Sequence, residues 1–565
     1  MKTWFGKLYA DIGGRQGFVR FVLISAIACV LLMLDLFSGL VSPDSLNVNG
    51  WICLVVLPGL AYGLSFACFS LILPRSVCRI IFPAIFGWVF LFSVANIVAR
   101  ALFGALVGDG TVMILAGSSW EEIKEFLRMF AHPQWIAGIF VFLLFETFLI
   151  VGLARSVYFD SFRWGKRLFC LFLLGHLPLV VWLLICSATA QRSTFGEWVK
   201  NSTILRFDSF SFWMSASGQF STLKDMKNAS DNPCLPPRLD SMTNRDSSLL
   251  AVVVIGESAT RSRWSLCGYE RKTNPYLDSR KNLLCVFSDL VAPNHTTTGS
   301  LRYILSAATK EDEICRYMLP SVCKRAGYEC SLLSNQVHWG DNDGAEIVFF
   351  KDCSKKFWLK DIMGDGTQEA PRYDGFLLPY IQREVASARG NKVLFVHLIG
   401  SHYPYERRCP IEFATFGLDA SGKMKSDITL SDQYDNSIVY TDYILNEILK
   451  YLETRGGDSF LLYLSDHGES PRAQCWRFVK DPDTWEVPMV AWFSEGYRAH
   501  YPDVVESMYK ARAKPLVSDQ LLFGMTRLLR IEGVPGYTEK ADFLSDAFVP
   551  REKRYDPRVD LEAPR

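Results

Sequence analysis

Residues 460–469 read FLLYLSDHGE, an apolar run that ends abruptly in acidic and imidazole side chains. Residues 251–258 read AVVVIGES and repeat this arrangement, with Glu257 at the end of the run. A short apolar run bounded in this way is typical of a buried strand. Because open α/β sheets place their sites at the carboxyl ends of the strands, we expect Glu257, Asp466 and His467 to meet at one edge of a sheet.

The side chains expected at that edge have metal-binding chemistry. Carboxylate oxygens from Glu257 and Asp466 and an imidazole nitrogen from His467 are ligands that zinc accepts. An isolated Asp-His pair is more often a hydrogen-bonded loop than a ligand pair. A third ligand delivered by a distant strand favours a Zn²⁺ site over that alternative.

A cluster of hydroxyl groups accompanies these residues. Residues 294–301 read NHTTTGSL, and residues 434–437 and 440–443 open a helix that leads into the Asp-His strand. With these motifs the chain resembles the lipopolysaccharide phosphoethanolamine transferases of the alkaline phosphatase and sulfatase superfamily. The resemblance implies an inner-membrane enzyme with a periplasmic catalytic domain of α/β/α type.

Transfer of a phosphoryl-type group needs a nucleophile, a Lewis acid and donors for the phosphate oxygens. The resemblance implies that Thr297 is the nucleophile and that Glu257, Thr297, Asp466 and His467 bind the zinc. It also implies that His402, in the segment VHLIGSHYP, is a substrate-side histidine and general acid.

The register at Thr297 depends on Ser300 and Leu301, which match the pair that follows the family nucleophile. Thr296 and Thr298 are adjacent alternatives. A second alternative is that Thr297 only caps a helix, and a nucleophile at a helix amino terminus can combine both roles.

Two departures from the family pattern affect the site. Pro293 and Tyr303 stand where cysteines usually bracket the nucleophile loop, so other contacts must hold that loop. The histidine that often follows the Asp-His pair is missing from residues 471–483. Four residues are candidates to replace it: His295, His338, Arg472 and Arg477.

Several further residues are weaker candidates for substrate binding. They are His295, Asn335, His338, His397 and Glu122. For His397, on a strand, the competing interpretation is an ordinary buried polar residue. For Asn335, the competing interpretation is a residue that hydrogen-bonds loops and does not contact the substrate. Glu122 lies in a loop where Ala116 replaces the usual asparagine of the family, and the resemblance implies that either Glu122 or Glu121 contacts an ethanolamine ammonium.

Five apolar stretches precede residue 191, at about residues 18–41, 51–73, 80–107, 135–154 and 168–190. Each reaches the ~20 residues that a membrane-spanning helix needs. Basic residues concentrate before the first stretch and in alternate loops, so the positive-inside rule predicts a cytoplasmic amino terminus. An odd number of spans then exports everything after about residue 191. The first stretch is interpreted as an anchor and not as a cleaved signal peptide.

The net charge of +1 gives no electrostatic case for nucleic-acid binding. Nine of the fifteen cysteines lie after residue 191, where an oxidising compartment favours disulfides. Cys315 and Cys323 are close enough in sequence to close a small loop. No CxxC pair occurs among these nine, which argues against a zinc ribbon.

The chain is predicted to consist of a five-helix transmembrane domain (1–190), a bridging segment (191–246), a periplasmic catalytic domain (247–545) and a tail (546–565). Strands alternating with helices predict a largely parallel sheet covered on both faces. Predicted strands are residues 249–255, 283–287, 329–333, 347–350, 392–397, 459–464 and 487–493. Predicted helices are residues 298–308, 377–389, 432–454 and 518–529.

The functional prediction is transfer of phosphoethanolamine from phosphatidylethanolamine in the bilayer to lipid A, lipopolysaccharide core or a similar envelope glycan. One alternative within the superfamily is a phosphoglycerol transferase or a phosphodiester hydrolase. A sulfatase would need a Cys/Ser-x-Pro-x-Arg pattern, which the segment around Thr297 lacks. The alternative from another class is a catalytically silent membrane protein that binds a partner or lipid.

Overall fold

The apolar runs of the carboxy-terminal part form a seven-stranded sheet. The computed structural model describes residues 222, 224–243, 248–336, 345–363, 372–471 and 481–551. These residues belong to a single compact unit. In chain order the strands are β1 (Asp240–Ser241), β2 (Leu249–Gly256), β3 (Leu284–Val286), β4 (Leu290–Val291), β5 (Glu329–Ser334), β6 (Lys355–Trp358), β7 (Lys392–His397), β8 (Asp458–Ser465), β9 (Met489–Phe493), β10 (Leu516–Val517) and β11 (Ile531–Glu532).

The order across the large sheet is β3-β9-β8-β2-β7-β5-β6. Neighbouring pairs from β8 to β6 are parallel, and β9 is antiparallel to both β8 and β3. The prediction of a largely parallel α/β sheet is therefore confirmed. The central strand β2 is buried along its whole length, as expected for a strand covered on both faces.

Helices cover the two faces of the sheet. They are α1 (residues 224–231), α2 (Pro275–Asp278), α3 (Thr297–Ile304), α4 (Leu319–Arg325), α5 (Ala345–Phe349), α6 (Lys360–Met363), α7 (Leu378–Ala386), α8 (Leu430–Arg455), α9 (Glu495–His500), α10 (Pro502–Ala511) and α11 (Leu522–Leu528). Alternate residues of β2 point into two separate hydrophobic cores, because successive side chains of a strand face opposite ways. Helices α3, α4, α10 and α11 contribute to one core and α7 and α8 to the other.

One predicted strand is wrong. Residues 347–350 lie in or directly after helix α5, and the edge strand is β6, which the sequence pattern missed. A short apolar run does not distinguish a buried helix from a strand. Strand β6 begins with Lys355 and Lys356, both exposed, so it lacks the apolar run that identified the other strands.

The described end of the predicted bridging segment packs with this domain. The core to which α3, α4, α10 and α11 contribute also contains Met226 and Ala229 of α1 and the nearby Leu239. Strand β1 pairs antiparallel with β11. Residues 224–243 thus contribute to the folding of the α/β domain.

The five apolar stretches predicted to span a membrane lie outside the described residues. Within the described ranges, none of the helices has the length and apolar character required to cross a bilayer.

The loop that Cys315 and Cys323 could close is not formed in the structure, where both are free thiols. The Cys315 sulfur contacts Met318 Sδ at 3.8 Å. Cys323 lies on α4, and burial, followed by interaction with the Cys330 thiol of β5, raises its pKa. Proximity in sequence did not decide the contact, because Cys315 lies in the loop before α4 and Cys323 lies on that helix.

Candidate active site and metal centre

Strands β2 and β8 are adjacent and parallel, with Gly256 paired to Ser465 at their carboxyl ends. The backbone amide of Asp466 donates a 3.1 Å hydrogen bond to Gly256 O. The residue after each strand therefore leaves the sheet at the same place. This register brings Glu257, Asp466 and His467 together, although the two segments are about two hundred residues apart in sequence.

The three side chains form a buried group. Each offers one ligand atom, and these atoms all lie within 4.8 Å of one another. His467 Nε2 lies 3.1 Å from Glu257 Oε1 and 3.6 Å from Asp466 Oδ2. The other ring nitrogen, Nδ1, is 2.8 Å from Gly468 O. A carbonyl partner on Nδ1 holds the ring so that Nε2 faces the carboxylates, as is usual for a histidine that binds metal.

Thr297 is the first residue of α3, and its side chain faces this group. Thr297 Oγ1 donates a 2.9 Å hydrogen bond to Glu257 Oε2. The helix cap is the neighbouring residue, since Thr296 Oγ1 accepts from Gly299 N. The capping role proposed as an alternative for Thr297 thus belongs to Thr296, which leaves the Thr297 hydroxyl directed at the carboxylate.

Hydrogen bonds hold the loop that carries Thr297, where Pro293 and Tyr303 replace the cysteines that the resemblance would imply. Asn294 Oδ1 accepts from the backbone and hydroxyl of Thr296, at 3.2 and 3.1 Å. Ser300 Oγ donates to Asn294 O at 2.8 Å. These bonds tie both ends of the turn to Asn294 and fix the start of α3.

The charges in the group are unbalanced. Burial alone would raise the pKa of Glu257, but the charge of His467 and its hydrogen bond outweigh burial and hold that pKa well below its ordinary value. Burial, followed by repulsion from Glu257, raises the pKa of Asp466 to about 7. Two buried carboxylates thus compete for one imidazole.

The group fits a divalent cation. Asp466 Oδ2 is buried and accepts no hydrogen bond from the described residues, although a buried carboxylate oxygen ordinarily has a partner. Oxygen and imidazole donors suit zinc. Among the residues that the structure describes, this is the only group of three such ligands.

Two further residues support Glu257, and sequence reasoning missed both. Ser258 Oγ donates to Glu257 Oε1 at 2.8 Å, and Ser258 N donates to Asp466 Oδ1 at 3.2 Å. Ser258 has φ 57°, a strained conformation of the kind found at functional sites. Gln336 Nε2 donates to Glu257 Oε2 at 3.3 Å and to Leu398 O at 2.8 Å. Its position two residues after β5 was the available indication.

The loop after β7 is fixed against the same turn. Asp374 accepts hydrogen bonds from the amides of Ile399 and Gly400, both at 2.9 Å. Gly400 has φ 49°, and a Cβ there would lie 2.7 Å from Glu257 O. Only glycine suits this close approach. The loop that carries His402 is therefore locked to the residue that carries the carboxylate.

His402 is buried at the end of this loop, and its Nδ1 lies 2.6 Å from Tyr403 O. In the neutral ring, that contact places the proton on Nδ1. The charge of His402 contributes to the lowered pKa of Glu257, so the ring is near the carboxylate. His397 is also buried, and its charge acts on Asp466 in the same direction.

The remaining predicted residues have different positions. Asn335 Nδ2 donates to Arg372 O at 3.1 Å and to Asp374 Oδ1 at 2.8 Å, so the structure gives it loop contacts. The His295 ring packs edge-on to Trp485 with centroids 5.7 Å apart. Four residues lie outside the described ranges: Glu122, His338, Arg472 and Arg477.

Comparisons with known proteins agree with this geometry. Residues 250–523 match the Sulfatase family model. The phosphoethanolamine transferase EptC of Escherichia coli O18:K1:H7 is 24% identical over 434 residues, which cover 73% of each chain.

Two solved structures are similar to this chain. The zinc complex of the periplasmic domain of E. coli EptC has a TM-score of 0.50 at 24% identity and covers 58% of this chain and 96% of that one. The integral membrane protein lipooligosaccharide phosphoethanolamine transferase A from Neisseria meningitidis has a TM-score of 0.64 at 20% identity. It covers 93% of this chain and 98% of that one. The chain therefore carries a Sulfatase-family domain, and its relatives include phosphoethanolamine transferases.

Proposed function

We propose that this protein is a zinc-dependent enzyme that transfers phosphoethanolamine from phosphatidylethanolamine to lipid A, lipopolysaccharide core or a similar envelope glycan. The observation that carries the proposal is the 2.9 Å hydrogen bond from Thr297 Oγ1 to Glu257 Oε2, within the group that Glu257 forms with Asp466 and His467. A nucleophilic hydroxyl held against metal-binding carboxylates is the arrangement that phosphoryl transfer requires.

Glu257, Asp466, His467 and the Thr297 hydroxyl would hold the zinc. A bound Zn²⁺ supplies Lewis acidity, which lowers the pKa of a coordinated hydroxyl and neutralises charge on the phosphate. Thr297 Oγ1 attacks the phosphorus, and the bond from phosphorus to the diacylglycerol oxygen breaks. The hydroxyl proton is directed towards Glu257 Oε2. The amino terminus of α3, which begins at Thr297, would face the phosphate.

His402 donates a proton to the diacylglycerol oxygen as it leaves, which yields diacylglycerol and a phosphoethanolamine ester on Thr297. In the second half of the reaction an acceptor hydroxyl gives its proton to His402 as its oxygen attacks the phosphorus, and Thr297 Oγ1 leaves with the proton that Glu257 had taken. His402, buried with Nδ1 2.6 Å from Tyr403 O, thus serves as acid in the first half and as base in the second.

We further propose that the α/β domain is periplasmic and that residues 1–190 anchor it in the inner membrane through five helices. The apolar stretches and the distribution of basic residues support this placement. The similarity to an integral membrane protein over 93% of the chain supports it as well. A membrane anchor would hold the active site close to its lipid donor.

The test uses the full-length protein in membranes supplied with phosphatidylethanolamine labelled in the ethanolamine group. We expect the label to appear on an envelope glycolipid and, in a rapid quench without acceptor, on the peptide that contains Thr297. Thr297→Ala should abolish both signals, whereas Thr298→Ala, the matched neighbour, should retain them.

Other outcomes would identify the competing functions. Transfer of label from phosphatidylglycerol in place of phosphatidylethanolamine would indicate a phosphoglycerol transferase. Release of free phosphoethanolamine with acceptor present would indicate a hydrolase. Transfer by Thr297→Ala at the wild-type rate would contradict the proposed nucleophile.

A further inference from the structure

Three cysteines meet in the core beside strand β5, away from the metal ligands. Cys323 lies on α4, Cys330 on β5 and Cys353 just before β6, and they are 0%, 2% and 3% exposed. All three are free thiols in the structure. The proposed reaction uses none of them.

Backbone hydrogen bonds fix the three positions. Tyr328 N donates to Cys323 O at 2.9 Å and closes the turn from α4 into β5. Ser354 N donates to Cys330 O at 2.9 Å, and Ser354 Oγ donates to the same oxygen at 3.1 Å. Cys330 is thus held between the helix that carries Cys323 and the strand entry that carries Cys353.

Cys330 is the shared partner of the other two thiols. Hydrogen bonds with Cys323 and then Cys353 hold the pKa of Cys330 at about 5, below the ordinary range of a thiol. Burial, followed by the hydrogen bond with Cys330, raises the pKa of Cys323 and of Cys353. Since the thiolate is the reactive form of cysteine, oxidation of the group is expected to begin at Cys330.

The arrangement suits bonds between pairs of sulfurs better than a metal. The three sulfurs do not lie within 4.8 Å of one another, because in the described part of the chain only the group at Glu257 meets that limit. A central thiol with a neighbour on each side can form one disulfide at a time. The buried Cys285 differs, since its thiol faces Met508 O at 3.4 Å.

We propose that Cys323, Cys330 and Cys353 form a disulfide exchange site in which Cys330 bonds to one neighbour and the remaining thiol can displace that neighbour. Oxidation joins two thiols and releases two protons and two electrons. These reduce the disulfide of a thiol oxidoreductase to a dithiol, in the compartment to which the domain is exported. In the exchange, the third thiolate attacks the Cys330 sulfur, the existing S–S bond breaks, and the displaced sulfur takes the proton. The oxidant depends on the export proposed above, whereas the pairing depends only on the positions of the thiols.

The test is a disulfide map of the full-length protein. Membranes are quenched in acid, unfolded in the presence of N-ethylmaleimide, digested and analysed by mass spectrometry. We expect loss of alkylation at Cys330 and a crosslink from Cys330 to Cys323 or to Cys353, with the third cysteine alkylated. Cys323→Ala should leave only the bond to Cys353, and Cys353→Ala only the bond to Cys323.

Two controls complete the experiment. Cys330→Ala should leave both neighbours alkylated, and Cys285→Ala should leave the wild-type map unchanged. A wild-type map with Cys323 bonded to Cys315 would overturn the inference. This outcome is read from the wild-type protein alone, so it does not depend on whether a variant folds.

A second arm separates the pairing from the proposed export. Folded protein that has been reduced in detergent is oxidised with diamide and mapped in the same way. A Cys330 bond formed only in this arm supports the pairing and counts against export to an oxidising compartment. Cys330 that stays alkylated after diamide overturns the pairing, whatever the outcome of the transfer assay.

Discussion

Buried charges lie at both ends of the seven-stranded sheet, but they are balanced at one end and unbalanced at the other. At the amino ends of the strands, Lys392 Nζ lies 2.5 Å from Glu384 and 3.4 Å from Glu329. Lys355 Nζ lies 3.4 Å from Glu329 and 3.6 Å from Glu384, so two lysines face two glutamates. At the carboxyl ends, Glu257 and Asp466 share a single imidazole. The sheet is the same, so the difference lies in the charges placed at its ends.

Charges that serve stability can be distinguished from charges that serve binding by whether they are balanced. A buried ion pair of opposite charges is neutral overall and makes the cost of burial tolerable. Two buried carboxylates with one histidine leave excess negative charge, and that excess raises the pKa of Asp466. Two carboxylates that repel each other in the absence of a cation are explained if the group binds one. Single substitutions can change the balance of charge at either end of the sheet.

The largest effect is expected for Asp466→Asn. Loss of this carboxylate should remove bound zinc and lower transfer at least ~10³-fold, since the nucleophile then lacks its Lewis acid. The same change removes the repulsion between carboxylates, so the metal-free variant should unfold at a higher temperature than metal-free wild type. Metal content, transfer rate and the thermal midpoint with and without a chelator test the prediction.

Asp442→Asn provides the matched control. Asp442 is also a buried carboxylate, but it accepts hydrogen bonds from the amides of Tyr276 and Leu277 away from the site. Its replacement should leave the zinc content unchanged. If chelation raised the thermal midpoint of the wild-type protein, or if metal-free Asp466→Asn proved less stable than metal-free wild type, unbalanced charge would not describe this end of the sheet.

The second prediction compares two histidines near the carboxyl ends. Replacing His402 with Gln should lower transfer by about 10²-fold or more with zinc content intact, as for loss of a general acid. His397→Gln should cost less, since we interpret His397 as a buried polar residue on β7. Steady-state rates and metal content of both variants in the same membranes are the measurement. A greater loss of transfer in His397→Gln would reverse the two assignments.

Much of the fold was predictable because its central strands are covered on both faces. Such strands are continuous apolar runs, and β2, β7 and β8 lie within about one residue of their predicted bounds. The edge strand β6 and the helix α5 were not predictable from that pattern. An edge strand has a neighbouring strand on one side only, so its sequence need not be apolar. Lys355, which is exposed at the start of β6, is an example.

The site could be predicted only in part. Glu257, Asp466 and His467 directly follow strands, so sequence position indicated where they would lie. The contact from Gln336 to Glu257 joins loops 79 residues apart, and no local pattern marks such a pair. The same holds for Asp374, whose carboxylate orders the loop before His402 through backbone amides. Contacts between loops depend on tertiary packing, which periodicity does not report.

The third prediction concerns the balanced end. Lys392→Ala should destabilise the domain by about 3 kcal/mol, since it leaves buried Glu384 with the longer ion pair to Lys355 and a 3.4 Å hydrogen bond from Ser331 Oγ. Lys392→Met, which keeps the bulk of the side chain, should cost less. Transfer activity should stay near wild type in both variants. Thermal midpoints by tryptophan fluorescence and transfer rates of the full-length protein check this.

The pH dependence of stability gives a second measurement for the same pair. Burial would raise the pKa of Glu384, but the hydrogen bond and charge of Lys392 outweigh it and lower that pKa. The pair therefore stabilises the wild type fully above the ordinary glutamate pKa of ~4.3 and loses this effect as the pH falls through the lower folded value. Lys392→Met should lose less stability than wild type over that acidic window. Parallel acid profiles of the two proteins would contradict the role given to the pair.

The smallest effect is expected for Gln336, which contributes no charge at the unbalanced end. Its amide holds Glu257 Oε2 and Leu398 O, so Gln336→Leu should weaken zinc affinity by about 10-fold through a less ordered Glu257. A positioning role predicts that saturating zinc restores the transfer rate, because Glu257 and Asp466 still supply the attraction. Zinc titrations of transfer activity for wild type and Gln336→Leu measure both quantities. A rate that stays low at saturating zinc would instead place Gln336 in contact with the substrate.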